Sequence, residues 1–121
     1  MVVRPQPPAE LSEAPQWRTI TLPGRGTLQV RDSRGPVGRP VVLLLHGATA
    51  SADVNWCRSY GTVAERARVI AFDHRGHGRF GLRPDGRVRL EQCADDTAAV
   101  ARALEVERFV AVGYSMGGAI A

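Results

Sequence analysis

Ser115 is the residue whose surroundings most clearly predict a chemistry. It lies at the centre of Gly113-Tyr114-Ser115-Met116-Gly117, directly after the apolar run Arg108-Phe109-Val110-Ala111-Val112. A serine flanked by glycines at this spacing is typical of a sharp strand-to-helix turn that exposes the hydroxyl as a nucleophile. A bare Gly-x-Ser-x-Gly also arises by chance, as a glycine-rich turn with an incidental serine, so the neighbouring residues must decide between the two interpretations.

The glycines around Ser115 favour the catalytic interpretation. Gly113 and Gly117 are expected where such a turn brings two backbone segments too close for side chains, and the serine itself is expected at a strained positive φ. Gly118-Ala119 continues with small residues, which allow the following helix to pack tightly. The free N–H groups at the start of that helix favour developing negative charge beside Ser115.

A second motif, Leu45-His46-Gly47-Ala48, follows another apolar run. A serine that attacks an acyl group needs two N–H donors directed at the oxyanion. One donor is expected from Met116, the residue after the nucleophile, and the other from the backbone of Ala48. His46 is interpreted as a structural histidine that organises the loop, and Gly47 as its turn residue.

The segment Asp73-His74-Arg75-Gly76-His77-Gly78 contains an aspartate and two histidines, but we interpret it as a turn. Asp73 is expected to end a strand and to accept hydrogen bonds from loop N–H groups. A third metal ligand is missing from the pattern, so no metal site is predicted. Nothing else in the sequence indicates an organic cofactor.

Composition excludes several classes of protein. The 121 residues suffice for one small domain, and 44% hydrophobic with 23% charged residues is ordinary for a globular chain. All 16 basic residues are arginines, scattered without a basic run or interleaved aromatics, so neither nucleic-acid binding nor a membrane partner is predicted. The N-terminus lacks an apolar block typical of a signal peptide, and a cytoplasmic location is expected.

Strands that alternate with helices predict an α/β protein. Residues 1–15 are proline-rich and predicted to form a disordered tail, and residues 16–121 to form one partial domain. The domain is expected to be a three-layer α/β/α arrangement with a mostly parallel sheet preceded by a β-hairpin. The predicted hairpin strands are Trp17–Leu22 and Thr27–Arg31, the apolar strands Val41–Leu45, Arg68–Phe72 and Phe109–Val112, and the helices Val54–Ala67 and Leu90–Leu104.

From about Trp17 onward, the sequence resembles the N-terminal half of an α/β-hydrolase-fold protein. The resemblance rests on the order of the His46-Gly47, Asp73–Gly78 and Gly113–Gly118 motifs, each after an apolar strand. It implies an eight-stranded sheet, a small-molecule acyl substrate, Ser115 as nucleophile, and Ala48 and Met116 as oxyanion donors. A serine rather than an aspartate at the nucleophile position points to an esterase, lactonase, C–C hydrolase, thioesterase or peptidase-like member, or to a serine perhydrolase. Arg79-Phe80 replaces the small serine that usually follows the Gly-His-Gly turn.

The resemblance also implies a catalytic acid and a histidine after the serine. The three histidines of this chain all precede Ser115. We call the turn Gly113–Gly117 the elbow. We therefore expect a fold that is truncated just after this elbow. Alone, such a fold is expected to be poorly soluble or partly ordered and to have negligible hydrolase activity. Two functions remain open at this point: a serine hydrolase whose acid and histidine lie beyond residue 121, or a catalytically inactive fragment that serves as a binding or interaction remnant. Substrate and oligomeric state stay undetermined.

Overall fold

The computed structural model of the protein describes residues 13–35 and 38–121. Residues 1–12 of the predicted tail lie outside the described residues, whereas Pro15 is buried and its carbonyl accepts a hydrogen bond from Arg31. The elements are β1 Trp17–Leu22, β2 Gly26–Asp32, β3 Val41–Leu45, α1 Ala52–Trp56, α2 Tyr60–Ala64, β4 Arg68–Phe72, α3 Leu90–Ala103, β5 Val110–Gly113 and α4 Met116–Ile120.

The sheet has five strands in the order β1-β2-β4-β3-β5. The β1–β2 hairpin joins β4 through an antiparallel pair, and β4, β3 and β5 pair in parallel, so four of the five strands run in the same direction. This confirms the predicted mostly parallel sheet with a preceding hairpin. Parallel neighbours require crossover connections, which α1, α2 and α3 provide.

Both faces of the central strands are covered, as continuous apolar runs predict. Leu43 and Leu45 point to the face packed by α3 and α4, and Leu44 points to the face packed by α1 and α2. The edge strand β5 is covered on one face only. Val110 and Val112 pair with the β3 residues on the α1/α2 side and are 55% and 39% exposed.

Two of the predicted helical details were wrong. The helix predicted over Val54–Ala67 is interrupted by a turn, closed by a 2.8 Å hydrogen bond from Ser59 N–H to the Trp56 carbonyl. Apolar periodicity shows which residues face the core and can continue across such a turn, so it does not establish an unbroken backbone. Leu90, Cys93, Val100 and Leu104 lie at a helical spacing that predicts one apolar stripe on α3. Leu90 is instead 43% exposed in the first turn of that helix, whereas the other three are buried.

Strand register brings the two loops of interest together. Leu45 of β3 pairs with Gly113 of β5, so the chain leaves both strands at the same edge of the sheet. Tyr114 N–H then donates to the Leu45 carbonyl over 3.0 Å, one residue beyond the ladder. As a result, the His46–Ala48 loop and Ser115 are neighbours, as expected at the carboxyl ends of parallel strands.

Candidate active site

Ser115 occupies a strained turn between β5 and α4. Its φ of 53° and ψ of −115° lie outside the regions that residues with a Cβ ordinarily adopt. Such strain costs on the order of 1–3 kcal/mol and is concentrated at functional sites. The residue is exposed, and its side chain makes no capping hydrogen bond to α4. The hydroxyl therefore stands on the surface without serving the local fold.

Two glycines make this turn possible. A Cβ on Gly113 would collide with the backbone of Gly117, and a Cβ on Gly117 would collide with the carbonyl of Leu45. The elbow is thus packed directly, backbone against backbone, on the end of β3. This geometry matches the close approach predicted for both glycines.

The loop after β3 lies against the elbow through Gly47. A Cβ placed on Gly47 would be 3.1 Å from Cδ1 of Tyr114 and 3.4 Å from Cβ of Ser115. A side chain at Gly47 would therefore require Tyr114 or the backbone of the elbow to shift by a few tenths of an ångström. Ala48, the next residue, is exposed beside this contact.

His46 organises this loop, as predicted. Its ring is fully buried, and Nε2 accepts a 2.9 Å hydrogen bond from the His74 N–H. Nε2 must therefore be unprotonated, so Nδ1 carries the proton and donates it to the Gly47 carbonyl over 2.7 Å. Burial lowers the pKa of His46, which favours this neutral tautomer.

The two backbone groups predicted as oxyanion donors have no acceptor within the part of the chain that the structure describes. Neither the Ala48 N–H nor the Met116 N–H donates to another backbone or side-chain group there. The Ser115 carbonyl accepts from the Gly118 N–H over 2.9 Å, which aligns the Ser115–Met116 peptide with the axis of α4. The Met116 N–H, which belongs to this peptide, therefore points out of the N-terminal end of α4, where no intrahelical acceptor is present.

Asp73 is a structural carboxylate, as the turn interpretation predicts. Oδ1 accepts from the Ala52 N–H over 2.8 Å and Oδ2 from the Phe80 N–H over 3.3 Å. It therefore joins the start of α1 to the loop after β4. Gly78 lies so close to this carboxylate that a Cβ there would overlap it.

The other two histidines pack beside His46. The ring centroids of His46 and His74 are 4.4 Å apart, and those of His46 and His77 are 5.4 Å apart. Burial, with the neighbouring imidazoles, lowers the pKa of His74 to about 4. Among residues 13–35 and 38–121, no group of three or more His, Cys, Asp or Glu side chains could hold a metal ion.

Sequence reasoning missed the residues that support these loops from α1 and α3. Asn55 accepts the Gly47 N–H over 2.8 Å, and Asp96 accepts two 2.7 Å hydrogen bonds from Arg75. The only available signals were a lone asparagine eight residues after Gly47 and an aspartate in the middle of an apolar stripe. Neither residue lies at a spacing that is typical of a local turn or helix contact, so the sequence does not indicate which group each residue bonds to.

Comparison with known proteins bears on this arrangement. The model of the alpha/beta hydrolase fold family matches residues 40–121. A bifunctional esterase/perhydrolase of Acinetobacter calcoaceticus is 40% identical over 84 residues, which are 69% of this chain and 30% of that protein. Protein phosphatase methylesterase 1 of Bos taurus is 37% identical over 103 residues, which are 81% of this chain and 26% of that protein. This chain therefore spans less than a third of the length of these two relatives.

Among solved structures, that of a membrane phospholipase A, a bacterial virulence factor, superposes with a TM-score of 0.79. It is 29% identical, and the match covers 92% of this chain and 34% of that one. Within the described residues of the present chain, no helix has the length and apolar character needed to cross a membrane.

Proposed function

The chain belongs to the alpha/beta hydrolase fold family, and we propose that it carries the nucleophile and the oxyanion-binding backbone of a serine hydrolase. The observation that carries the proposal is the strained, exposed Ser115, which is followed by Met116 and packed against Gly47. The N–H groups of Met116 and of Ala48, the residue after Gly47, have no acceptor among the described residues. The substrate class is a small molecule with an ester or related acyl bond. Two relatives named as an esterase and a methylesterase support that class.

The proposed reaction begins with attack of Ser115 Oγ on the carbonyl carbon of the substrate. As the carbon becomes tetrahedral, its oxygen gains negative charge, which the Ala48 and Met116 N–H groups stabilise by hydrogen bonds. Expulsion of the leaving group, which takes up a proton, leaves an acyl group on Ser115. Water then hydrolyses this ester and regenerates the serine.

A general base must accept the Ser115 proton, and we propose that none of the three histidines in this chain does so. Both ring nitrogens of His46 already make hydrogen bonds to the backbone. His74 is buried and, with a pKa of about 4, would be a weak base. Nδ1 of His77 donates to the carbonyl of Arg75 over 3.0 Å, and among the described residues no hydrogen bond joins His77 to Ser115.

The proposal therefore assigns the base and its acid partner to residues outside 1–121. As a separate polypeptide, residues 1–121 are expected to have negligible hydrolase activity, because the nucleophile would lack its base. No cofactor takes part in the proposed reaction, and a cytoplasmic location stays a prediction from sequence.

Hydrolysis of p-nitrophenyl acetate by the natural protein that contains these residues tests the proposal. Ser115→Ala should abolish turnover, and labelling with a fluorophosphonate should modify Ser115, as located by mass spectrometry. Ser59→Ala, at a half-buried serine without a capping hydrogen bond, is the matched control and should leave turnover unchanged. Equal rates for the wild type and Ser115→Ala would contradict the proposal and favour a non-catalytic remnant. Rapid Ser115-dependent turnover by residues 1–121 alone would overturn the assignment of the base.

A further inference from the structure

We propose that Asn55 is a positioning residue for the oxyanion loop, which we define as His46–Thr49. By holding the Gly47 N–H, the side chain of Asn55 keeps the Ala48 N–H in place beside Ser115. The inference rests on the proposed function, because it concerns the same oxyanion. It adds a residue from α1 that does not touch the substrate and acts through the loop.

The contact itself is short and partly buried. The Gly47 N–H donates to Oδ1 of Asn55 over 2.8 Å, and Gly47 is buried against Tyr114 and Ser115. A buried N–H without an acceptor is unfavourable, so loss of the Asn55 carbonyl would drive the loop to rearrange. The same hydrogen bond occupies the Gly47 N–H, so Gly47 itself cannot donate to an oxyanion.

Two side chains together determine the direction of the Ala48 N–H. Asn55 holds the peptide plane between His46 and Gly47, and the His46 ring holds the Gly47 carbonyl, which belongs to the next plane. That carbonyl and the Ala48 N–H lie in the same rigid peptide and point in opposite directions. The two peptide planes meet at Gly47, and glycine has the greatest backbone freedom of any residue. The Ala48 N–H therefore keeps one orientation only if each of the two planes is held by a hydrogen bond.

Helix α1 is anchored well enough to serve as a support, although it spans only Ala52–Trp56. Asp73 accepts the Ala52 N–H over 2.8 Å. Asp53 accepts two hydrogen bonds from Arg31, of 2.6 and 2.7 Å, and one of 2.9 Å from the Tyr60 hydroxyl. These contacts tie α1 to β2, to the loop after β4 and to α2, so Asn55 projects from a fixed backbone.

The test compares Asn55→Leu and Asn55→Ala, which remove the acceptor, with Val54→Ala on the same helix. Val54 is 70% exposed, and its side chain is the matched control. In the natural protein, both Asn55 variants should lower kcat by about 10- to 100-fold, less than the roughly 10²–10³-fold loss of a whole oxyanion donor. KM should stay within about threefold, because the loop acts on the transition state rather than on bound substrate.

Amide hydrogen exchange at Gly47, followed by NMR, is a second readout that does not need activity. Exchange should be slow in the wild type and in Asn55→Asp, which keeps an acceptor at this place, and faster in Asn55→Leu. Asn55→Asp is judged by exchange alone, since its charge would also oppose an oxyanion.

The outcomes separate the two proposals. If Ser115→Ala abolishes turnover while Asn55→Leu and Asn55→Ala keep wild-type kcat, the positioning role is overturned and the serine hydrolase stands. Unchanged Gly47 exchange in Asn55→Leu would overturn the contact itself. If the wild type shows no Ser115-dependent turnover, the proposed function fails and the catalytic part of this inference fails with it. A fall in kcat for Val54→Ala as large as for Asn55→Ala would reduce the effect to a general disturbance of α1, which also overturns the inference.

Discussion

Replacing Ser115 with glycine should stabilise the protein while removing the proposed nucleophile. Ser115 has a φ of 53° and a ψ of −115°, a conformation that costs a residue with a Cβ on the order of 1–3 kcal/mol. Glycine adopts positive φ without that steric cost. Against this gain, glycine adds conformational entropy to the unfolded chain, which costs about 0.4–1 kcal/mol. The balance is a net stabilisation of about 1 kcal/mol.

Ser115→Ala is the control that isolates the strain. It removes the same hydroxyl, which makes no capping hydrogen bond, but keeps the Cβ and therefore the strained backbone. Its free energy of unfolding should lie within about 0.5 kcal/mol of the wild type. Both variants should lose hydrolysis of p-nitrophenyl acetate, so activity and stability would change independently.

Urea unfolding of the natural protein, followed by circular dichroism, measures the difference. The midpoint for Ser115→Gly should exceed that for Ser115→Ala by an amount equivalent to about 1 kcal/mol, with the same slope. A Ser115→Gly variant that is no more stable than Ser115→Ala would refute the reasoning, because removal of the Cβ would then have relieved no strain at the elbow.

Three further predictions follow from close packing, burial and the sheet edge. Gly117→Ala should destabilise the protein by about 3 kcal/mol in urea unfolding, because the new Cβ would overlap the backbone of β3. Gly118→Ala is the control: its Cβ would have no neighbouring atom nearer than 3.7 Å, so this variant should be neutral or stabilising. Equal unfolding midpoints for the two variants would contradict the close approach of Gly117 to β3. Burial lowers the pKa of His74 from 6.5 to about 4, so the unfolded state binds more protons between these values. The free energy of unfolding therefore decreases as the pH is lowered, by about 2 kcal/mol from pH 7 to pH 5. His74→Leu should flatten that pH dependence of urea unfolding, and an unchanged slope would exclude His74 as its source. For residues 1–121 alone, Val112→Lys on the exposed edge strand should reduce the self-association measured by light scattering. Val54 is also an exposed valine but lies away from the edge strand, so Val54→Lys should leave self-association unchanged. Equal effects of the two substitutions would exclude the edge strand as the cause.

The sequence alone was sufficient to predict where the strands lie and how the layers of helices and sheet are arranged. Val41–Leu45 and Arg68–Phe72 have the predicted bounds, because a strand buried on both faces needs an unbroken apolar run. The elbow glycines were predictable for a similar reason. A steric requirement at Gly113 or Gly117 acts at the residue itself and can be recognised without knowing which part of the chain it contacts.

Contacts between residues distant in sequence were not predictable in this way. The arginines seemed scattered, yet Arg75 and Arg25 both pair with Asp96 of α3, and Arg31 pairs with Asp53 of α1. The position of a charged residue in the sequence does not indicate which oppositely charged residue it will pair with. The buried Arg75–Asp96 pair forms only because the loop after β4 and α3 pack on the same part of the sheet.

The sequence by itself determined that a serine stands on a glycine-flanked turn after a buried strand, since the residue types required there are local. Only the tertiary structure decided how the loop that contains Ala48, a proposed oxyanion donor, is held near Ser115. The register of β3 against β5 places Gly47 against the elbow, and the packing of α1 brings Asn55 to the Gly47 N–H. Hydrogen bonds of this kind depend on the relative position of separate elements, which the sheet and its covering helices establish and no single stretch of residues encodes.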